Sequence, residues 1–359
     1  MKLVPLLFKF VNKRCYNKPH RRRDDGQVSG FDRLHKNDRG GGKNVAISDA
    51  QLFRILKDHY AQGLTQREIA KQEGLSTATI SRAIREGIER GYVTITLNLP
   101  TNSVPDLESR IKQKFGLSRV CVVKAGVDDP EMILQDVAAS FADYMDILIK
   151  PGDSIGLSWG RTLAALASSL HPKTVENVSF VSMNGGVSSS ISNTSVEQVV
   201  RAFARAYDAE AYWLPLPSYV SNGQLADALM KEEYIEAFFR QVASTNIAIF
   251  SVGGLITTSL LFNSGYFTED GYRELIKKGY VGDICSRFFK ADGSHKDDEL
   301  YNRSIGITLE ELKQKKKKIC IVADVNKAKA LLGALHGGYI DELFVDEKTA
   351  TEVLRLEEQ

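Results

Sequence analysis

Residues 64–93 read LTQREIAKQEGLSTATISRAIREGIERGYV, and this stretch decides how the front of the chain folds. Thr65 and Glu68 form a capping box for a helix that carries Ile69 and Ala70. Gly74 and Leu75 supply a turn, and Ser76 is placed to cap a second helix. In that helix Ile80, Ile84 and Ile88 recur every fourth residue as one apolar stripe. Ala78, Arg82, Arg85 and Glu89 fall within about 60° of one another on the opposite side. Gly91 ends the helix, and Tyr92-Val93-Thr94-Ile95-Thr96 has strand character, the start of a wing. Two helices, a Gly-containing turn and an Arg-bearing outer face make the helix-turn-helix pattern. A plain helical hairpin with a charged face is the alternative. Ser76, Thr77, Thr79 and Ser81 tip the balance, because they are poor helix formers that suit phosphate and base-edge contacts. Arg82 and Arg85 then face the major groove of double-stranded operator DNA, with Gln66 and Arg67 near its backbone.

Working outward, residues 47–61 predict a first helix with Leu52, Ile55, Leu56 and Tyr60 on one side, completing an all-α, winged DNA-binding domain over 46–100. Residues 1–45 are polar, Gly-rich and aperiodic, which reads as a disordered basic tail. Arg21-Arg22-Arg23 fits a solvated tail better than a DNA contact, and the patch 3–11 lacks the cleavage site of a signal peptide. The contrast raises a translation start near Val45 at a non-Met codon, since the next methionine is Met132; the intact mass of the natively made protein decides it. Residues 98–105 are a turn-rich stretch broken by Pro100 and Pro105, and 101–119 are expected to be a linker helix marked by Leu107, Ile111 and Phe115.

Composition narrows the function. A 359-residue chain with 43% hydrophobic and 26% charged residues has room for two or three cores. The net charge of +2 hides an asymmetry. Residues 1–100 hold 19 Lys and Arg against 10 Asp and Glu, and residues 101–359 hold 28 against 35. A basic front on an acidic body fits a nucleic-acid module joined to a different domain. The four cysteines form no CxxC, which argues against a zinc site or disulfide framework and for a reducing, cytoplasmic setting. No apolar run approaches the ~20 residues of a membrane span.

From residue 120 strands and helices alternate to the end, the signature of an α/β domain with a largely parallel sheet over 120–359. Buried strands are expected at 120–123, 154–158, 178–183, 247–252 and 318–323, and helices at 131–149, 163–170, 328–335 and 349–356. The lysines at 315–318 read as a solvated turn. Three Gly-bearing loops follow strands. The first holds Gly160, Arg161 and Thr162 at a helix start, where free N–H groups accept phosphate. The second is Asn184-Gly185-Gly186, followed by hydroxyls at 188–195, and the third is Gly253-Gly254. Ligands of open α/β sheets sit at such strand ends, so the three together favour a phosphorylated small molecule. Asp283, in an apolar segment, is suited to accept hydrogen bonds from sugar hydroxyls, or else caps a turn. Lys327 suits a phosphate or sugar oxygen, or else is a surface lysine.

The DNA-reading stretch, GDSIGLSWGRT, the Asn-Gly-Gly loop, VGDICSRFF and LLGALHGGYIDELFVDEKTA together resemble the SorC family of sugar-responsive bacterial transcription regulators, over about residues 46–356. The resemblance implies a phosphorylated sugar as effector, with no cofactor or metal. It implies phosphate around Gly160, Arg161 and Thr162, contacts from Asp283 and Lys327 to the sugar or its phosphate, and assembly into dimers or tetramers. Two departures stand out. The family's Gly-Gly before the lysine is replaced by Ala323-Asp324-Val325-Asn326-Lys327. YWLPLPSYVSN resembles the deoxyribonucleoside-responsive branch, yet Asn184 stands where an aldehyde-trapping lysine would go with that branch, which leaves deoxyribose 5-phosphate one candidate among several. The strand–GRT–helix unit also resembles phosphosugar isomerases and deaminases. An enzyme of that kind needs a positioned base. Asp283 is the one credible carboxylate, and His171 and His336 read as structural, so a regulator is favoured over an enzyme.

Overall fold

The computed structural model describes residues 47–93, 103–124, 126–186, 194–256, 259–295 and 299–359. The expected tail, the strand beyond Val93, most of the turn-rich stretch and the hydroxyls at 188–193 lie outside the described residues. The chain divides into two compact units that part between Pro100 and Thr101.

In the first unit, α1 (Asp49–Tyr60), α2 (Gln66–Glu73) and α3 (Thr77–Glu89) pack around Leu52, Ile55, Leu56, Ile69, Ile80, Ala83 and Ile84. The Thr65–Glu68 capping box is formed, and Gly74 closes α2 in the left-handed conformation at φ 67°. Ser76 caps α3 by accepting from the Thr79 amide at 3.1 Å. Ile88 departs from the expected stripe: it is 43% exposed, and the buried positions of α3 are Ile80, Ala83, Ile84 and Gly87. A Cβ at Gly87 would come within 2.5 Å of the Leu56 side chain, so α1 meets α3 there and a larger residue would have to displace that leucine. Tyr60, expected on the packed side of α1, is the last residue of that helix and is 41% exposed. Glu73 ties α2 to α1 by accepting from Arg54 at 3.1 Å and Gln51 at 2.9 Å.

The second unit is built on a seven-stranded, wholly parallel sheet. In chain order its strands are β1 (Arg119–Val123), β2 (Ser154–Leu157), β3 (Ser179–Ser182), β4 (Glu210–Tyr212), β5 (Ile247–Phe250), β9 (Lys317–Val322) and β10 (Glu342–Asp346); in space they run β1-β10-β9-β5-β2-β3-β4. Successive side chains alternate between two cores, as the pleat requires. Ile155, Leu157, Phe180, Ile249, Ile321 and Phe344 meet α5 (Pro130–Leu148), α6 (Arg161–Ser169) and α7 (Val196–Tyr207). Val122, Val181, Phe250, Cys320, Val322 and Val345 face the helices Glu233–Ser244, Ala328–His336 and Glu347–Glu357. α4 (Pro105–Phe115) buries Leu107 and Ile111 in that second core, so the segment expected as a linker helix packs as part of this unit. The chain leaves β5 into a small antiparallel sheet of β6 (Gly253–Gly254), β7 (Tyr280–Ile284) and β8 (Arg287–Lys290).

The lysine run is not a solvated turn. Lys315 is buried and donates to the carbonyls of Val242 and Ala243 at 2.6 and 2.8 Å, capping a helix end. Lys317 pairs with buried Glu342 and Lys318 with Asp341, each at 2.8 Å. Long aliphatic stems let these ammonium groups reach partners while the backbone enters a core strand.

Candidate functional site

The strand order reverses beside β2: the chain moves from β2 to β3 on one side and later returns to β5 on the other. Crossovers diverge there, leaving a crevice at the carboxyl ends of the strands. An open cleft of about 680 Å³ lies in this unit at that point. Its wall holds Ser158 to Thr162 after β2, Asn184 after β3, Ser251 to Gly254 after β5, Asp283, Cys285 and Ser286 from the small sheet, and Lys327 after β9.

Gly160 adopts φ 120°, a conformation side chains rarely take, and it opens α6 with no side-chain cap. The first N–H groups of a helix have no intrahelical partner, so this end is an anion acceptor. Arg161 stands exposed at the first helical position, Thr162 is buried beneath it, and the Trp159 indole donates to the Gly185 carbonyl at 2.7 Å. Asp283 sits on β7 opposite Gly253, and a Cβ at Gly253 would come within 2.0 Å of Asp283 Oδ1. The glycine therefore makes room for the carboxylate. The Lys327 stem passes Gly254, its Cγ 3.6 Å from where a Cβ would stand.

Burial pushes Asp283 up to about 6, against the pull of the Ser286 amide and Lys327 toward the charged form. Burial also holds Lys327 below the usual lysine range, supported by Arg161 and opposed by Asp324 and Asp283. Asp324, one of the residues in place of the family's Gly-Gly, spends its Oδ1 capping a short 3-10 turn, where it accepts from the amide and side chain of Asn326, each at 3.0 Å.

The turn joining β7 to β8 is two residues long, with Cys285 at φ 48° and Ser286 at φ 67°. Both positive φ angles suit a type I′ hairpin, a role that glycine or asparagine fills at least strain. Holding Cys and Ser there costs about 1–2 kcal/mol each. Supporting contacts hold the turn in place. The Tyr219 hydroxyl donates to the Ser286 carbonyl, and Arg287, buried directly after the turn, donates to the carbonyls of Tyr301, Gly306 and Ile307.

Of the expected effector residues, Gly160, Arg161, Thr162, Asn184, Asp283 and Lys327 come together at the cleft. Gly185 and Gly186 are not among its lining. A Cβ at Gly185 would lie 2.4 Å from the Pro217 carbonyl oxygen, and Gly186 exchanges backbone bonds with Leu216 and Ser218, so the pair serves close backbone packing. Asp283 stands on a strand and also caps the β7–β8 turn, its Oδ2 accepting from the Ser286 amide at 3.2 Å. The sequence reading missed Ser158, Ser251, Ser259, Cys285 and Ser286; Ser158 and Ser286 were within reach, since each adjoins a segment already singled out. His171 bonds Asp146 and His336 bonds Ala291 and Glu357, neither at the cleft, and Asp283 is the one acidic group of its described lining.

In the three-helix unit, Ala78, Arg82, Arg85 and Glu89 are all exposed on one side of α3. Ser76 and Thr77 are exposed, Thr79 and Ser81 half-buried, and the Ser76 and Thr79 hydroxyls lie 2.8 Å apart within the cap. Gln66 and Arg67 open α2, half-buried and exposed respectively.

Residues 100–355 match the family model of a sugar-binding domain. The chain is 35% identical over 308 residues to the deoxyribonucleoside regulator of Bacillus subtilis, covering 86% of this chain and 96% of that one. It is 30% identical to the sorbitol operon regulator of Klebsiella pneumoniae, covering 85% and 97%. The full-length structure of that regulator, SorC, superposes with a TM-score of 0.65 over 86% of this chain and 100% of its own. A transcriptional regulator from Streptococcus pneumoniae superposes at 0.67 with 27% identity, over 71% and 97%. A parallel α/β unit with a cleft at its switch point, following a three-helix unit, is thus the architecture of a transcriptional regulator rather than an enzyme. The chain belongs to the SorC family of sugar-binding transcription regulators.

Proposed function

We propose that this regulator binds operator DNA through a helix-turn-helix formed by α2 and α3, and that a phosphorylated sugar in the α/β cleft controls that binding. The observation that carries the phosphate is a convergence of like charge. Arg161 and Lys327 both stand at the cleft, where burial chiefly, and Arg161 in addition, holds the Lys327 ammonium below its usual range, and the same cleft receives the uncapped N-terminus of α6. A dianion placed among them satisfies the free N–H groups and relieves the repulsion. Gly160, Arg161 and Thr162 hold the phosphate, while Asp283 accepts from a sugar hydroxyl and Lys327 donates to the phosphate or a sugar oxygen. On the DNA side, Arg82 and Arg85 with Ser76, Thr77, Thr79 and Ser81 meet the major groove, and Gln66 and Arg67 the backbone. Two-fold operators call for a dimer or tetramer, acting in the cytoplasm. Control requires that the ligand bind one assembly state better than another.

Thermal unfolding of the full chain against a panel of sugar phosphates tests the effector half, with free sugars and inorganic phosphate as controls. A ligand of the native state raises the transition temperature. A shift with one sugar phosphate, lost in Arg161→Ala, is the expected result, and no shift with any of them refutes the phosphosugar reading.

A further inference from the structure

Resting on that reading, we infer that Ser158 and Asn184 form a hydroxyl-recognition wall of the cleft, distinct from the phosphate-holding end of α6, and that the effector presents a sugar hydroxyl to it. Ser158 is 5% exposed and Asn184 4% exposed, and both line the cleft. They extend from neighbouring parallel strands, since Leu157 and Ser182 are partners in the β2–β3 register. Among the described residues, Ser158 Oγ and Asn184 Oδ1 are buried side-chain atoms with no hydrogen-bond partner. Buried polar groups are normally paired, and those left open in a native structure call for an explanation.

The Asn184 amide makes the argument independent of how its two ends are placed. Its Nδ2 donates to Ser286 Oγ at 3.2 Å, which leaves Oδ1 open. Turned over, Oδ1 would accept from the same hydroxyl and Nδ2 would be open instead. Either way one amide end awaits a partner. Ser158 Oγ is a hydroxyl that both donates and accepts, and so is a sugar O–H, which can therefore satisfy either group in either orientation. The dianion of a sugar phosphate only accepts, so its phosphate oxygens cannot serve an open Oδ1. Ser286, which holds the other end of the amide, sits in the strained two-residue turn with φ 67°, and such strain collects at ligand-binding sites. The wall is also uncharged, unlike the Arg161–Lys327 end.

Calorimetric titration of the full chain with ribose 5-phosphate, glucose 6-phosphate, fructose 6-phosphate and inorganic phosphate tests the assignment. Ser158→Ala and Asn184→Leu are each expected to weaken the tightest of the sugar phosphates about tenfold or more, and to leave inorganic phosphate within about twofold. Ser158→Ala removes an atom that has no partner in the free protein, so its melting temperature should stay level or rise while affinity falls; that opposition keeps the test readable if Asn184→Leu does not fold. Equal weakening of sugar phosphate and inorganic phosphate, or weakening of neither, overturns the hydroxyl wall alone. If no sugar phosphate of the set binds more tightly than inorganic phosphate, the wall falls together with the phosphosugar reading.

Discussion

On α3, Arg82 and Arg85 stand in solvent on a helix whose other side is packed. In the cleft, Ser158, Asn184 and Asp283 are polar groups set into a wall, two of them with unpaired buried atoms and the third with its acidity suppressed by burial. The exposed face costs little to maintain, because its side chains are open to water as well as to local partners such as the Ala78 carbonyl that Arg82 donates to. The cleft is held at a cost in stability, met by the packing around it. Substitutions in the two regions should therefore divide: those on the helix face alter binding and leave folding alone, while those in and behind the cleft alter folding, in either direction.

The largest effect is expected behind the cleft. Arg287→Met strands the carbonyls of Tyr301, Gly306 and Ile307 and releases the Cys285-Ser286 turn. Loss of a buried charged donor of this kind costs about 3–5 kcal/mol in chemical denaturation. A cost below that of an ordinary surface change would mean the turn is held by other contacts.

Next comes the core of the three-helix unit. Ile84→Ala, at a buried position, should cost about 2–4 kcal/mol, while Ile88→Ala, at an exposed one, should cost under about 0.5 kcal/mol. Equal costs would restore the simple four-residue stripe and undo the role given to Gly87.

Arg82→Ala probes the exposed face. Operator affinity should fall by about 1–3 kcal/mol if the side chain reads a base, with unfolding unchanged within about 0.5 kcal/mol. Equal weakening on every DNA would make it a phosphate contact, and a matching loss of stability would break the contrast between the regions.

Asp283→Asn should do the reverse and stabilise the free protein. With the folded carboxyl near 6 and its ordinary value 3.8, the native state holds a proton that the unfolded state has released between those values. Stability of the natural protein therefore declines as pH rises from about 4 to about 6, and Asp283→Asn escapes that decline. At pH 7 the variant should be more stable by up to about 2 kcal/mol, the shift being discounted for the open side of the cleft. The gain should vanish below pH 4, where both groups are neutral; a gain that persists there would have another cause. Binding of the effector should suffer at the same time.

What was legible in the residues follows the same division. The capping box at Thr65–Glu68, the left-handed Gly74 and the cap at Ser76 are local features, set by neighbours within four positions, and each forms as read. The parallel α/β alternation was likewise visible, because doubly covered strands are short and almost wholly apolar. β10, fully buried at the sheet's second position, went unread beside Glu342 and Asp346, whose charges disguise a strand that pairs one with Lys317 and folds the other into a helix cap. The lysines at 315–318 misled in the same direction. Charge near a strand end reads as solvent exposure until its partners, dozens of residues away, are known.

Sequence by itself determined the three helices and caps of the front unit, the α/β alternation, the basic front against the acidic body, and the glycine at Gly160, since each is dictated by local dihedrals, periodicity or count. Only the tertiary structure decided that Gly185 and Gly186 serve packing, that Ile88 lies outside the core, and that Ser158, Asn184, Asp283 and Lys327 share one cleft. The physical reason is that burial and partnership are properties of surfaces brought together across long separations. An unpaired Ser158 hydroxyl has no signature in the chain; it exists only once β2, β3 and the small sheet have closed around it.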